Sequence, residues 1–198
     1  EVHGTDSLWR VEVLRWPDVV YAHPFPPAEL ESGRHRIRLG WTGARIRARH
    51  RLTAWDGSLT VTTGRIVLAE PWGFDHPENG LTSVTDQAVH WRSETAGDWD
   101  GVVVELEGPD TTQLTFSSGP STFSFSPRDF AGGPLEVDAG GVGQRVRVER
   151  DPGPQQPRSV SFTYRDEQPP AGRHPYFVRV TQQDGHMAWS SPFFASTP

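Results

Sequence analysis

The sequence predicts an all-β protein of the sandwich or jelly-roll type. Three observations carry that expectation. Short runs of alternating apolar and polar residues recur roughly every ten residues, with Gly, Pro, Asn or Asp between them. Glycine (20) and proline (18) are plentiful, methionine occurs once and cysteine not at all, a composition suited to tight turns between strands. No window holds apolar residues at helical spacing over a useful length, and Ser126 to Phe130 offers no more than a single turn.

The elements follow in order. Leu8 to Arg15 alternates, with Trp9, Val11 and Val13 on one face, and a turn at Trp16-Pro17-Asp18 leads to a short strand at Val19-Val20-Tyr21. His23-Pro24-Phe25-Pro26-Pro27 is a proline-stiffened connector. Arg34 to Leu39 and Ala44 to Leu52 read as two strands, each with one apolar and one arginine face. Leu59 to Val61 and Arg65 to Leu68 form a hairpin across Thr63-Gly64. Glu70 to Leu81 is a long aromatic and acidic loop. Further strands are expected at 88–91, 102–106, 113–116, 122–125, 145–149 and 160–164, with a linker-like stretch from Asp151 to Pro157. Tyr176 to Phe194 closes the chain as a hairpin: Val178 and Val180 alternate with Arg179 and Thr181, Asp184-Gly185 makes the turn, and Pro192 stops the return strand.

Several function classes are excluded by composition. The 19 basic residues are all arginine, so no Schiff-base, P-loop or Ser–Lys chemistry is available. Without cysteine there is no thiolate metal site and no thiol nucleophile. A net charge of -6 argues against general nucleic-acid binding. No apolar run approaches membrane-spanning length. The chain starts at Glu1 without a methionine and reads as a processed product or an excised fragment.

Two segments together carry a resemblance: Leu8 through Val20, and Pro175-Tyr176-Phe177-Val178-Arg179-Val180-Thr181-Gln182 on to Asp184-Gly185-His186-Met187-Ala188-Trp189-Ser190-Ser191-Pro192. They resemble the C-terminal, non-catalytic β region of a bacterial family of unknown function. The upstream domain of that family is similar to metallohydrolases of the polymerase-and-histidinol-phosphatase type. Trp55-Asp56-Gly57-Ser58-Leu59 and Pro71 through Gly80 look like the same family. The hydrolase's histidine clusters have no counterpart, because no His-x-His occurs among the eight histidines. The resemblance therefore implies an accessory module and not the enzyme. It also implies a topology: an immunoglobulin-like sandwich built from both chain ends, residues 1–40 and 158–198, with a β-sandwich or jelly-roll-like domain, residues 41–157, inserted.

Eight tryptophans are many for 198 residues. Aromatic rings stack on the apolar faces of sugars, so Trp41, Trp55, Trp72, Trp91 and Trp99 are candidate binding residues, with Phe74, Asp75, His76, Glu78 and Asn79 beside Trp72 in one loop. Asp75 and Glu78 are candidate ligands for a structural Ca²⁺, although the loop matches no EF-hand or zincin spacing. The plain alternative is a loop pinned to its scaffold by prolines and Asx turns, while Trp9, Trp91 and Trp189 fill the core. Arg34, Arg36, Arg38, Arg45, Arg47, Arg49 and Arg51 would suit sulfate, phosphate or carboxylate groups if their strands were neighbours, or form a solvated face paired with acidic residues on an adjacent strand or domain. His50 falls on the apolar side and reads as a hydrogen-bonded core residue. Neither Asp98 with Asp100 nor Glu105 with Glu107 shows a glycosidase spacing beyond chance.

The expectation is a secreted or periplasmic module, not an enzyme, that binds a polysaccharide or oligosaccharide through loop aromatics, without a cofactor beyond that Ca²⁺. The alternative is a structural domain that packs on the upstream hydrolase domain. That alternative expects a large exposed apolar patch on the unit built from the chain ends.

Overall fold

The computed structural model describes residues 1–25, 30–47, 49, 51–153 and 156–197. The protein is all-β, with 57% of the described residues in strands arranged as several antiparallel sheets, a β-sandwich-type fold. Strands β1 (Val2–His3), β2 (Leu8–Arg15), β3 (Asp18–Ala22) and β4 (Arg34–Ala44) open the chain. Next come β5 (Thr53–Ala54), β6 (Gly57–Val61), β7 (Arg65–Trp72), β8 (Gly80–Val84), β9 (Ala88–Arg92) and β10 (Glu94–Thr95). Strands β11 (Trp99–Glu107), β12 (Leu114–Ser118) and β13 (Thr122–Phe125) precede a 3₁₀ turn at Pro127–Phe130, where a single helical turn is expected from the sequence. Strands β14 (Leu135–Gly140), β15 (Val142–Arg150) and β16 (Ser159–Val160) follow. Strands β17 (Gly172–Gln182), β18 (Met187–Trp189) and β19 (Phe193–Thr197) end the chain.

The chain divides into two compact units, one made of Glu1–Ala28 with Pro152–Pro198 and the other of Glu29–Asp151. The boundaries differ from those expected at 40/41 and 157/158. Strand β4 is in register with β11 from Arg34↔Glu107 to Thr42↔Trp99 and with β15 on its other side, so residues 34–40 belong to the inserted unit. His50, expected as a core histidine, lies outside the described residues.

The inserted unit pairs two five-stranded sheets, β14-β15-β4-β11-β7 and β13-β12-β6-β9-β8. Alternation dictates what meets between them. On β11, Val102, Val104 and Leu106 turn inward; on β15, Val146 and Val148 do so; Leu59, Val89, Trp91 and Phe116 answer from the second sheet. Trp41 and Trp91 stack across the core at 4.5 Å and 21°. The expected strand at Ala44–Leu52 is absent: β4 ends at Ala44, and Arg45, Ile46, Arg47, Arg51 and Leu52 are not in strands. The seven-arginine face therefore does not form.

In the unit of the chain ends, β18-β17-β2-β3 form one sheet, with β19 also on β17 and a small β1–β16 ladder. Val178↔Val13 and Val180↔Val11 are directly paired. Gly185 takes φ 89° at the β17–β18 turn, where the Asp184 carboxylate accepts the His186 amide at 3.0 Å. β17 pairs first with β19 (Tyr176↔Phe193) and then with β18 (Arg179↔Trp189), and the break between the two partners falls at Ser190-Ser191-Pro192. The strand expected at 160–164 is reduced to Ser159–Val160.

Candidate functional site

In the inserted unit, Gly40 of β4 sits directly opposite Gly101 of β11. Missing side chains leave a slot, and two indoles fill it: a Cβ on Gly40 would lie 3.0 Å from Trp72 and 3.2 Å from Trp99. Trp72 is thereby 8% exposed, and the Arg38 guanidinium lies 4.9 Å from its ring centroid. Trp55 is fully buried, its indole N–H donating to Thr95 Oγ1 at 3.0 Å. Phe74 packs on the core, edge-on to Trp41. Trp99 is half-buried beneath Arg145, 5.3 Å from its ring. Trp72 and Trp55, expected to stack on sugars, thus spend their apolar surface in the core and offer a ligand no open face.

The acidic residues of the same region converge differently from the expectation. Asp75, in the loop after β7, comes together with Asp98 and Asp100 at the start of β11, with carboxylate oxygens all within 4.8 Å of one another. Glu78 and His76 are exposed and stay apart from this group, the Glu78 amide donating to His76 Nδ1. Asp100 is fully buried. Its Oδ2 accepts from Ser93 Oγ at 2.6 Å and from Asn79 Nδ2 at 3.2 Å, whereas its Oδ1 is buried with no hydrogen-bond partner. Burial, reinforced by Asp98 and Asp75 and opposed by the Ser93 and Asn79 donors, pushes the Asp100 carboxyl up to about 7. Asp75, Asp98 and Asp100 are the residues here that could hold a cation. Asp98-Trp99-Asp100 is visible in the sequence as a flanked pair; its meeting with Asp75 depends on the pairing of β7 with β11 (Gly101↔Trp72), which no local pattern specifies.

The arginines of β4 are spoken for. Arg36 donates to Asp151 at 2.8 Å, Glu105 at 2.8 Å and Glu70 at 2.7 Å, and Arg38 reaches the other Asp151 oxygen at 2.5 Å. Of these partners only Glu105, on β11, lies on a strand adjacent to β4; Glu70 is on β7, one strand further, and Asp151 follows the end of β15. Arg36 and Arg38 are buried and not solvated. Burial pulls the Arg38 guanidinium down, while three carboxylates hold Arg36 up against the same cost.

The unit of the chain ends carries a groove of about 720 Å³ on its sheet, lined by Phe162, Tyr164, Tyr176, Val178, Trp189 and Phe193 among others. Tyr176 and Phe193 stack at 5.4 Å and 17°. Asp166, at the groove wall, accepts from Arg15 at 2.6 Å and from the Tyr176 hydroxyl at 2.8 Å. Trp189, expected in the core, is 56% exposed, and Phe193 60%. Its strand β18 is three residues long at the sheet edge, so alternation there marks a strand without marking a buried face. Compared with known proteins, the chain matches no family model, no curated protein and no solved structure.

Proposed function

We propose that this chain is a non-catalytic interaction module whose end-built unit docks on another folded domain, the metallohydrolase-like domain implied by the sequence resemblance being the first candidate. One observation carries the reading. Among the described residues that unit buries five large hydrophobic side chains (Leu8, Val11, Val13, Leu14 and Tyr176) and exposes six (Trp16, Val19, Met187, Trp189, Phe193 and Phe194). A small domain stabilises itself by removing apolar surface from water, and contiguous apolar surface left open marks contact sites. Trp189 and Phe193 border the same groove, which makes them the anchors of the docking face; aromatic anchors in a concave centre dominate interface energetics.

A second reading keeps the carbohydrate expectation but moves it from Trp72 to this groove, where aromatic rings stand beside the Asp166 carboxylate. A groove of that size is also within the range of small-ligand sites, roughly 300–1,000 Å³. One experiment separates the two. The chain is passed over an immobilised metallohydrolase-like domain of the resembled family and, in parallel, over a panel of insoluble polysaccharides. Retention on the domain alone supports docking. Retention on a polysaccharide alone overturns docking in favour of the second reading, and retention on neither rejects both.

A further inference from the structure

We infer that Asp75, Asp98 and Asp100 form a calcium-binding site in the inserted unit. Three features argue for it together. The first is distance. Calcium holds oxygens at about 2.3–2.6 Å, so two oxygens on one ion lie at most about 5 Å apart, and the three carboxylates here already meet within 4.8 Å. One ion reaches all three without any rearrangement of the strands.

The second is the orphaned oxygen. Asp100 is fully buried, and one of its carboxylate oxygens is held by Ser93 and Asn79 while the other has no partner. Buried polar atoms are nearly always satisfied by a hydrogen bond or a ligand. The two donors fix the plane of the carboxylate and leave one oxygen for coordination, which is how outer partners orient a metal ligand. Ser93 is itself fixed, since it accepts the Trp41 indole N–H at 2.7 Å.

The third is charge and access. Three carboxylates this close repel one another, and a divalent cation removes the repulsion. Asp75 is exposed and Asp98 half-exposed, so an ion arrives from solvent on the side opposite buried Asp100. The ligand set is all oxygen, with His76 outside it. That composition favours a hard cation over zinc or copper, and a loop ligand with an adaptable position favours calcium over the stricter magnesium.

The test uses the full chain after removal of divalent ions with EDTA. Calcium is titrated while the melting temperature is followed, and terbium is titrated in parallel as a luminescent substitute excited through the neighbouring tryptophans. Calcium is expected to raise the melting temperature in a saturable way. Asp75→Asn and Asp98→Asn, both at residues with solvent contact, are expected to weaken binding at least about tenfold, by loss of one charged ligand from a small set. Glu78→Gln in the same loop is expected to leave it unchanged. The inference is overturned by the absence of any shift up to about 10 mM, well above the weakest extracellular calcium modules. It is equally overturned by affinity that persists in Asp75→Asn and Asp98→Asn, or by tighter binding of magnesium than of calcium.

Discussion

Trp41, Ser93 and Asp100 form a relay through the inserted unit: the indole N–H donates to Ser93 Oγ, and Ser93 donates to the carboxylate. Removing the hydroxyl strands a buried N–H and takes one donor from a buried carboxylate. Ser93→Ala is therefore expected to lower stability by about 1–3 kcal/mol, measured by urea unfolding, whereas a serine at exposed Trp189 should stay within about 0.5 kcal/mol and a serine at Phe193, which loses the stack on Tyr176, should cost about 0.5–1.5 kcal/mol. In the other unit Asp166 contributes to acid sensitivity. The Tyr176 hydroxyl holds the Asp166 carboxyl below the usual carboxylate range, against some burial and with help from the Gln168 amide and Arg15. The folded state thus releases that proton more readily than the unfolded chain. Its stabilising contribution is present above the unfolded value of about 3.9 and is lost as pH falls through the lower folded value. Asp166→Asn should flatten the acid limb of the stability profile below about pH 4; a wild-type acid limb in the variant would refute the assignment.

At the scale of elements, β4 and β11 combine two roles along one ladder. At one end Arg36 meets Glu105 and Asp151; toward the other the Gly40↔Gly101 pair admits the indoles of Trp72 and Trp99. A Cβ on Gly101 would run into the Leu39 carbonyl oxygen and lie 2.8 Å from Trp72, so Gly101→Ala is expected to cost about 1–3 kcal/mol by overpacking and to raise the solvent accessibility of Trp72, read by fluorescence quenching. Much of this framework was legible in the residues themselves. Arg145 to Glu149 and Tyr176 to Gln182 announce strands by alternation, Val102 to Leu106 does so by a β-branched run, and Asp184-Gly185 announces its turn. The site was less legible, for a physical reason: burial of Trp72 depends on glycines 32 and 29 positions away in the chain, and convergence of Asp75 with Asp100 depends on strand pairing. Likewise Ala44 to Leu52 carries a strand's alternation, yet the ladder ends at Ala44, because a period-2 pattern states a preference that only a partner strand can realise.

For the molecule as a whole, the two units contrast in how they use apolar surface. The inserted unit has a continuous core running from Ile37 to Val148 between two sheets, while the end-built unit leaves Trp189 and Phe193 open beside an aromatic groove. That contrast underlies the proposed division of labour, a self-sufficient inserted sandwich and an end-built unit completed by a partner. Calorimetric titration of a metallohydrolase-like domain of the resembled family with the chain, wild type against the Trp189→Ser/Phe193→Ser variant, tests it most directly. The account predicts a saturable complex with the wild type and, with the variant still folded, a loss of affinity of roughly 30-fold or more in the variant, the effect of removing aromatic anchors. No complex with the wild type, or one of unchanged affinity in the variant, would contradict it.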